Sequence, residues 1–535
     1  WIRSIVILLS NKSNKGAISS IARPYNDFVF ESNFIVGHNI FKHDYKYLKE
    51  LLPDNPKIID TLLWSPILFP NKPYHKLLKD DKISNDDVNN PLSDSIKCKD
   101  LFYDEVSKFN TLPEKLKDIF GGLLYKYDEF KWFLESVSWS HRIFTNVKNL
   151  IKEYFKGLVC SNANFDRLIK ENPIELAYSL ALITAEDKKS ITPEWVLINY
   201  PGVHDVINEL RSTNCNDSRC PYCSSVFSSK KKLFEIFGYE DFRKFEGENL
   251  QERAVNLALQ HKSILAIFPT GGGKSLTFQL PALIEGESVR GLTIVISPLQ
   301  SLMKDQVDNL EKKNILGAVT INGLLSPIER KENIEQIRNG NASLLYIAPE
   351  SLRSKTIEKL LMAREISRIV IDEAHCFSSW GQDFRVDYLF ISDFIKRIQN
   401  KKKLKTNIPI SCFTATAKPK VISDICDYFR VKLGVELEVL ASSATRTNLR
   451  YRVLSQQDDA EKYLTLRELL HEKQCSTIIY VASVHETVEI AKKLTKDGIK
   501  AIPFNGQMDR REKVNNQNLF MSNEVQVIVA TSAFG

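Results

Sequence analysis

A short apolar run, Ile264 to Phe268, leads directly into Pro269-Thr270-Gly271-Gly272-Gly273-Lys274-Ser275, and Leu276, Phe278 and Leu280 follow at spacings a helix can use. Strand, glycine turn and helix in that order constrain the fold more than any other stretch of the chain. The glycines let backbone N–H groups close around a phosphate chain at a helix N-terminus. Lys274 is then placed to reach the β and γ phosphates and the Ser275 hydroxyl to ligate Mg²⁺. The strict phosphate-loop pattern asks for glycine where this chain has Phe268, so the assignment rests on the strand and helix around it.

Downstream, Leu292 to Ser297, Leu344 to Ala348, Arg368 to Asp372 and Ser411 to Thr416 are short apolar runs separated by helical patterns. Runs without a polar alternation, each followed by a helix, predict a parallel sheet covered on both faces. Ligands of such sheets gather at the carboxyl ends of the strands. The phosphate loop, Asp372-Glu373-Ala374-His375 and Thr414-Ala415-Thr416 all fall there. Asp372 is expected to hold the metal and Glu373 to position the attacking water.

At 535 residues the chain is too long for one core, which predicts three or four domains. Its composition, 43% hydrophobic and 26% charged, is that of a globular protein, and no apolar run is long enough to span a bilayer. A net charge of +7 suits a polyanionic partner without identifying one. Nine scattered cysteines fit a reducing, cytoplasmic setting. The start at Trp1 and the stop at Gly535 just after a strand predict a fragment.

Read together, Phe237 to Arg243, the phosphate loop, Ser297 to Gln306, Ala348-Pro349-Glu350, Asp372 to His375 and Thr414 to Thr416 resemble a RecQ-type superfamily 2 DNA helicase over roughly residues 234–535. The most specific part of the resemblance is Cys376 to Arg385, similar to the aromatic-rich loop of that family. Bases of single-stranded DNA can stack on Trp380 and Phe384, worth about 1–3 kcal/mol each, while Arg385 meets a phosphate. The resemblance implies ATP and Mg²⁺ as ligands and DNA as partner. It further implies 3′-to-5′ translocation, a linking role for His375, and adenine contacts from Arg243 and Gln251. The stretch Lys244 to Leu250 is an insertion that separates those two residues more than the family does. An arginine that completes the ATP site in the family falls after Gly535, which predicts slow turnover by this chain.

Towards the amino terminus, Phe34 to Asp44, Ile59-Asp60-Thr61 and Asn89 to Asp94 resemble a DnaQ-like 3′-to-5′ exonuclease of the DEDD class, with Asp44 and Asp94 as the matching carboxylates. Two metals held by four carboxylates do the chemistry in that class. The Asp-x-Glu pair of its first motif is absent here, and Asn89 stands where a general-base histidine belongs. An amide cannot take that proton. The expectation is an exonuclease-like fold without nuclease activity, with His75 either a substitute base or a surface or capping residue.

Between these regions Cys215, Cys220 and Cys223 cluster tightly. Metal ligation needs a fourth donor, with Cys160 the first candidate and His204 the second. Cys160 would suit zinc or an iron–sulfur cluster, and His204 would favour zinc. The predicted organisation is α/β. A partial ribonuclease H-like exonuclease domain (1–110) and a helical connector (111–232) precede two RecA-like parallel-sheet lobes, 233–445 and an incomplete 446–535. The leading function is an ATP-dependent DNA helicase of repair or recombination. An ATP-gated nucleic-acid clamp without unwinding or cleavage is the alternative, and a P-loop kinase for a small acceptor is remote.

Overall fold

The computed structural model describes residues 5–7, 34–50, 52, 54–72, 75, 91–139, 146–185, 191–323, 325–378, 385–415, 418–442, 449–473 and 475–534. Three parallel sheets organise them. In the first, β1 (Ile5–Ile7), β2 (Phe34–Gly37) and β3 (Ile58–Asp60) lie side by side with β2 central. The helix Thr61–Leu68, every residue of it buried, leaves β3. The long helix Pro91–Thr111 returns across the sheet.

The boundary expected between residues 110 and 111 falls inside that long helix, and the packing runs straight through it. Trp64 is fully buried, stacked on Phe133 with centroids 4.4 Å apart, and edge-on to Phe109 at 6.0 Å and Phe130 at 5.9 Å. Four aromatic rings from three elements make one continuous contact, so the small sheet and the helices up to Val203–Arg211 share a single hydrophobic core.

The second sheet has seven parallel strands in the order β10-β4-β9-β8-β5-β7-β6. They are β4 (Ile264–Ile267), β5 (Leu292–Ile296), β6 (Ala318–Ile321), β7 (Leu344–Ile347), β8 (Ile366–Ile371), β9 (Ile410–Thr414) and β10 (Glu438–Ala441). Alternation of side chains splits the strands other than the edge strand β10 between two cores. Ile264 and Ala266 face one, Leu265 and Ile267 the other. Burial on both faces is why these strands read as unbroken apolar runs. Most end a residue before the sequence pattern does. Arg368, fully buried in β8, is a charged side chain within such a run. It donates to the carbonyls of Ala258 and Lys262 at 2.6 and 3.0 Å and to Ser411 Oγ at 3.0 Å, fastening the sheet to the helix Leu250–Leu259.

A third sheet, β11 (Thr477–Tyr480), β12 (Ala501–Phe504) and β13 (Val527–Ala530), is parallel with β13 central. It touches the seven-stranded unit through Gln517, whose amide donates to Asp305 Oδ1 at 3.0 Å. Among the described residues no helix is long and apolar enough to cross a membrane.

Candidate nucleotide site

β4, β9 and β8 are neighbours, so the loops leaving their carboxyl ends meet at one edge of the sheet. The phosphate loop leaves β4 and ends in the helix Lys274–Val289. Gly271 and Gly273 sit at φ +76° and +77°, a left-handed conformation that side chains disfavour. Gly272 N–H bonds the Pro269 carbonyl at 2.9 Å and closes the turn.

Three residues from upstream grip the three glycines in turn. The Arg243 guanidinium donates to Gly271 O. The Phe245 ring lies where a side chain on Gly272 would come within 3.2 Å of it, and stacks on Phe268 at 4.8 Å and 20°. Gln251, fully buried, donates to Gly273 O at 3.0 Å and accepts from Arg243 N–H at 2.8 Å. The inserted stretch after Arg243 closes on itself through Phe245 and Glu248, which exchange backbone bonds at 2.8 and 2.9 Å. Gln251 was expected to face adenine. Here both ends of its amide hold the loop, leaving one donor hydrogen and one lone pair for any further partner.

Asp372 follows β8, with its backbone N–H on Ile296 O at 2.9 Å. Burial, and then the neighbouring Glu373, push its carboxyl up to about 6. A carboxylate so deprived of water is stabilised by a cation. Glu373 sits in a left-handed conformation, φ 49°, and its N–H bonds Asp372 Oδ1 at 3.0 Å. Burial pushes Glu373 up, yet His375 and Lys274 together hold it below the usual range. Its two oxygens are 4.0 Å from Lys274 Nζ and 3.2 Å from His375 Nδ1. That same His375 nitrogen is 3.1 Å from Thr414 Oγ1 on β9. Lys274, Glu373, His375 and Thr414 therefore form one polar chain across three strand ends. The glycine cradle, the lysine and the buried acid fit a triphosphate with a divalent cation, with Ser275, half-buried at the start of the helix, beside them.

Residues 248–425 match the family model described as DEAD/DEAH box helicase, and residues 461–535 match the helicase conserved C-terminal domain. The first match spans most of the seven-stranded unit and the second the third sheet. Over 325 residues it is 38% identical to the ATP-dependent DNA helicase hus2/rqh1 of Schizosaccharomyces pombe, covering 59% of this chain and 23% of that protein. Identity to the ATP-dependent helicase SGS1 of Saccharomyces cerevisiae is 34% over 340 residues, 62% of this chain and 22% of that one. With the ATP-dependent DNA helicase RecQ of Bacillus subtilis it is 35% over 303 residues, 57% and 48%. The chain thus spans less than half the length of each of these curated relatives.

Trp380 and Phe384, the expected base-stacking residues of the motor, lie outside the described residues, as does Thr416. Arg385 is exposed and donates to the Pro298 carbonyl at 3.3 Å, beside the segment Ser297 to Gln306. Phe377 is a core residue, packed on Tyr388 at 5.3 Å and Tyr428 at 4.5 Å. Tyr388 escaped the sequence reading. It is fully buried, and its hydroxyl donates to Asp372 O at 2.9 Å, so the far end of the aromatic-rich loop is tied to the acidic box.

In the amino-terminal region Asp44 is buried; Asp94 lies on the helix Pro91–Thr111, its side chain outside the described residues, and Asn89 is outside them too. Asp60 accepts backbone N–H groups of Asn39 at 2.6 Å and Leu62 at 3.0 Å, and burial still pushes it up to about 6. Glu105 is fully buried and pushed well above the usual range, first by burial and then by Asp60. His75 is not the surface residue the sequence suggested. It is buried, paired with Ser65 Oγ at 2.8 Å and held down at about 4 by burial.

Of the two candidates for a fourth metal ligand, the structure chooses Cys160, whose Sγ joins those of Cys215, Cys220 and Cys223. His204 is elsewhere, its Nδ1 against Glu365 Oε1 just before β8.

Proposed function

We propose that this protein is an ATP-dependent DNA helicase of RecQ type, moving 3′-to-5′ on single-stranded DNA and separating the duplex ahead, in repair or recombination. The observation that carries the reading is the polar chain from Lys274 through Glu373 and His375 to Thr414, which joins the phosphate loop to two other strand ends. Lys274, Ser275 and the loop from Thr270 to Gly273 bind the triphosphate, Arg243 and Gln251 brace that loop, and Asp372 holds Mg²⁺. Bound Mg²⁺ offsets the phosphate charge that builds up as the terminal bond breaks. Glu373, kept ionised by His375 and Lys274, orients water and accepts its proton. His375 feels both Glu373 and Thr414, so a shift of β9 on DNA binding changes the hydrogen bonding of the water-orienting acid. Arg385, with Trp380 and Phe384, contacts the strand. A DNA partner places the protein inside the cell.

The amide at Asn89, where the DnaQ-like class has a general-base histidine, supports a DnaQ-like region that no longer cleaves DNA and serves for docking. The four-thiol cage of the connector supports a bound zinc ion or iron–sulfur cluster.

The test is ATP hydrolysis with and without single-stranded DNA, beside Lys274→Ala. DNA stimulation that disappears in the variant is the expected result. Hydrolysis indifferent to DNA, or untouched by the substitution, refutes the assignment.

A further inference from the structure

The Sγ atoms of Cys160, Cys215, Cys220 and Cys223 all lie within 4.8 Å of one another, although Cys160 comes from a different stretch of chain. We propose that they hold a single zinc-type ion as a tetrathiolate, and that this ion clamps the helical connector onto the helicase motor.

Cage size separates the possible occupants. Zn–S bonds of about 2.3 Å in a tetrahedron put the sulfurs roughly 3.8 Å apart along every edge. A cage no wider than 4.8 Å reaches that by small side-chain shifts. A four-iron cluster places a body of iron and sulfide between its thiolates and needs a wider opening, so the dimensions favour one ion. The donors are all soft thiolates, which select zinc over magnesium or calcium.

The surroundings suit thiolate charge. Ser161 N–H points at Cys220 Sγ at 3.4 Å, and the Asn162 amide at Cys215 Sγ at 3.5 Å. That amide also reaches Asp217 Oδ2 at 3.3 Å, bridging the two stretches that supply the ligands. Such outer contacts orient ligands and raise affinity. Cys160, Cys220 and Cys223 are buried.

Position gives the ion its role. Cys160 N–H bonds Leu210 O at 2.8 Å, at the end of the connector helix Val203–Arg211. Tyr222, between two of the ligands, donates to Arg211 O at 2.6 Å. Ser212 meets His261 Nε2 at 3.0 Å, just before β4. Phe227, four residues past the last ligand, packs both on the cysteine cluster and on the core that contains Phe268 and Ala266 beneath the phosphate loop. The ion therefore ties the two ligand-bearing stretches together where Ser212 and Phe227 meet the motor.

Metal analysis of the purified chain tests this directly. One zinc per chain is expected, without iron or acid-labile sulfide, and a cobalt-exchanged sample should show the absorption of a tetrahedral thiolate site. Iron with labile sulfide, or a metal-free protein with disulfides among these cysteines, overturns the proposal. Cys160→Ser should lose zinc while Cys98→Ser, a buried cysteine outside the cage, keeps it; full zinc retention in Cys160→Ser removes that residue from the ligand set. For the clamp, hydrogen exchange is measured on the wild-type protein before and after mercurial release of zinc, which avoids variants that fail to fold. Exchange should quicken at least tenfold in both residues 203–228 and 250–262. Unchanged exchange in the second segment refutes the clamp.

Discussion

Replacing Phe245 with alanine removes the one member of the three-point grip that touches the phosphate loop through a ring. The stack on Phe268, 4.8 Å between centroids and 20° between planes, is worth about 0.5–1.5 kcal/mol beyond area burial. Phe245 is only half-buried, so its transfer term adds roughly 1–2 kcal/mol, most of it a matter of stability. Arg243 on Gly271 and Gln251 on Gly273 remain, so the loop is loosened at Gly272 alone. If the stacking part must be regained on nucleotide binding, about 1 kcal/mol weakens ATP roughly fivefold. Titration of the Phe245→Ala protein with a fluorescent ATP analogue should show that rise in Kd, with turnover at saturating ATP within about twofold of wild type. Phe245→Trp keeps a flat ring on Phe268 and should restore affinity. Lower thermal stability with unchanged Kd would refute the reasoning, because the ring would then support only its own turn. Loss of turnover at saturating ATP would refute it in the other direction.

His375→Ala should reduce the stimulation of ATP hydrolysis by single-stranded DNA about tenfold, beyond any fall in the basal rate from the lost support of Glu373, since the link between Glu373 and Thr414 is gone; an intact stimulation ratio would show that the histidine does not couple the sites. Trp64→Ala should cost about 3–5 kcal/mol and release hydrogen-exchange protection together in residues 34–68 and 114–184, because its ring meets Phe109, Phe130 and Phe133 on both sides of the expected boundary. Protection kept in the second stretch would separate the two units. Asp60 ionises near 6 when folded and near 3.8 when exposed, so the native state binds the extra proton between these values. Its contribution is fully present below about pH 4 and is lost as pH rises through 6, on the order of 3 kcal/mol. Urea unfolding of wild type and Asp60→Asn across pH 4 to 7 should show a steeper fall in the wild type, the buried acids Asp372 and Glu105 contributing to both; equal slopes would contradict it.

The candidate nucleotide site and its sheet were legible in the sequence because their patterns are local. A glycine turn between a buried strand and a helix, an acidic pair at a strand end and apolar runs without alternation each follow from backbone geometry within about ten residues, and the sheet reproduces them to within a residue or two at strand ends. The cysteine cluster was half legible. Cys215, Cys220 and Cys223 are close in sequence, whereas choosing Cys160 over His204 needed the fold, since His204 is the nearer in sequence yet faces Glu365, and only packing brings the distant Cys160 in. Tyr388 and Phe245 carried no sequence signal of a role, because an aromatic residue reads alike in a core, at a loop or beside a ligand. The shared core of the amino-terminal sheet and the connector was hidden for the same reason, as composition marks which residues avoid water but not which partners they find. The sequence alone determined the order of strands and helices and the residue types at the phosphate and acid positions. Only the tertiary structure decided which distant side chains meet, because those contacts are set by the sheet order and by packing across it, and neither is encoded in any single stretch of chain.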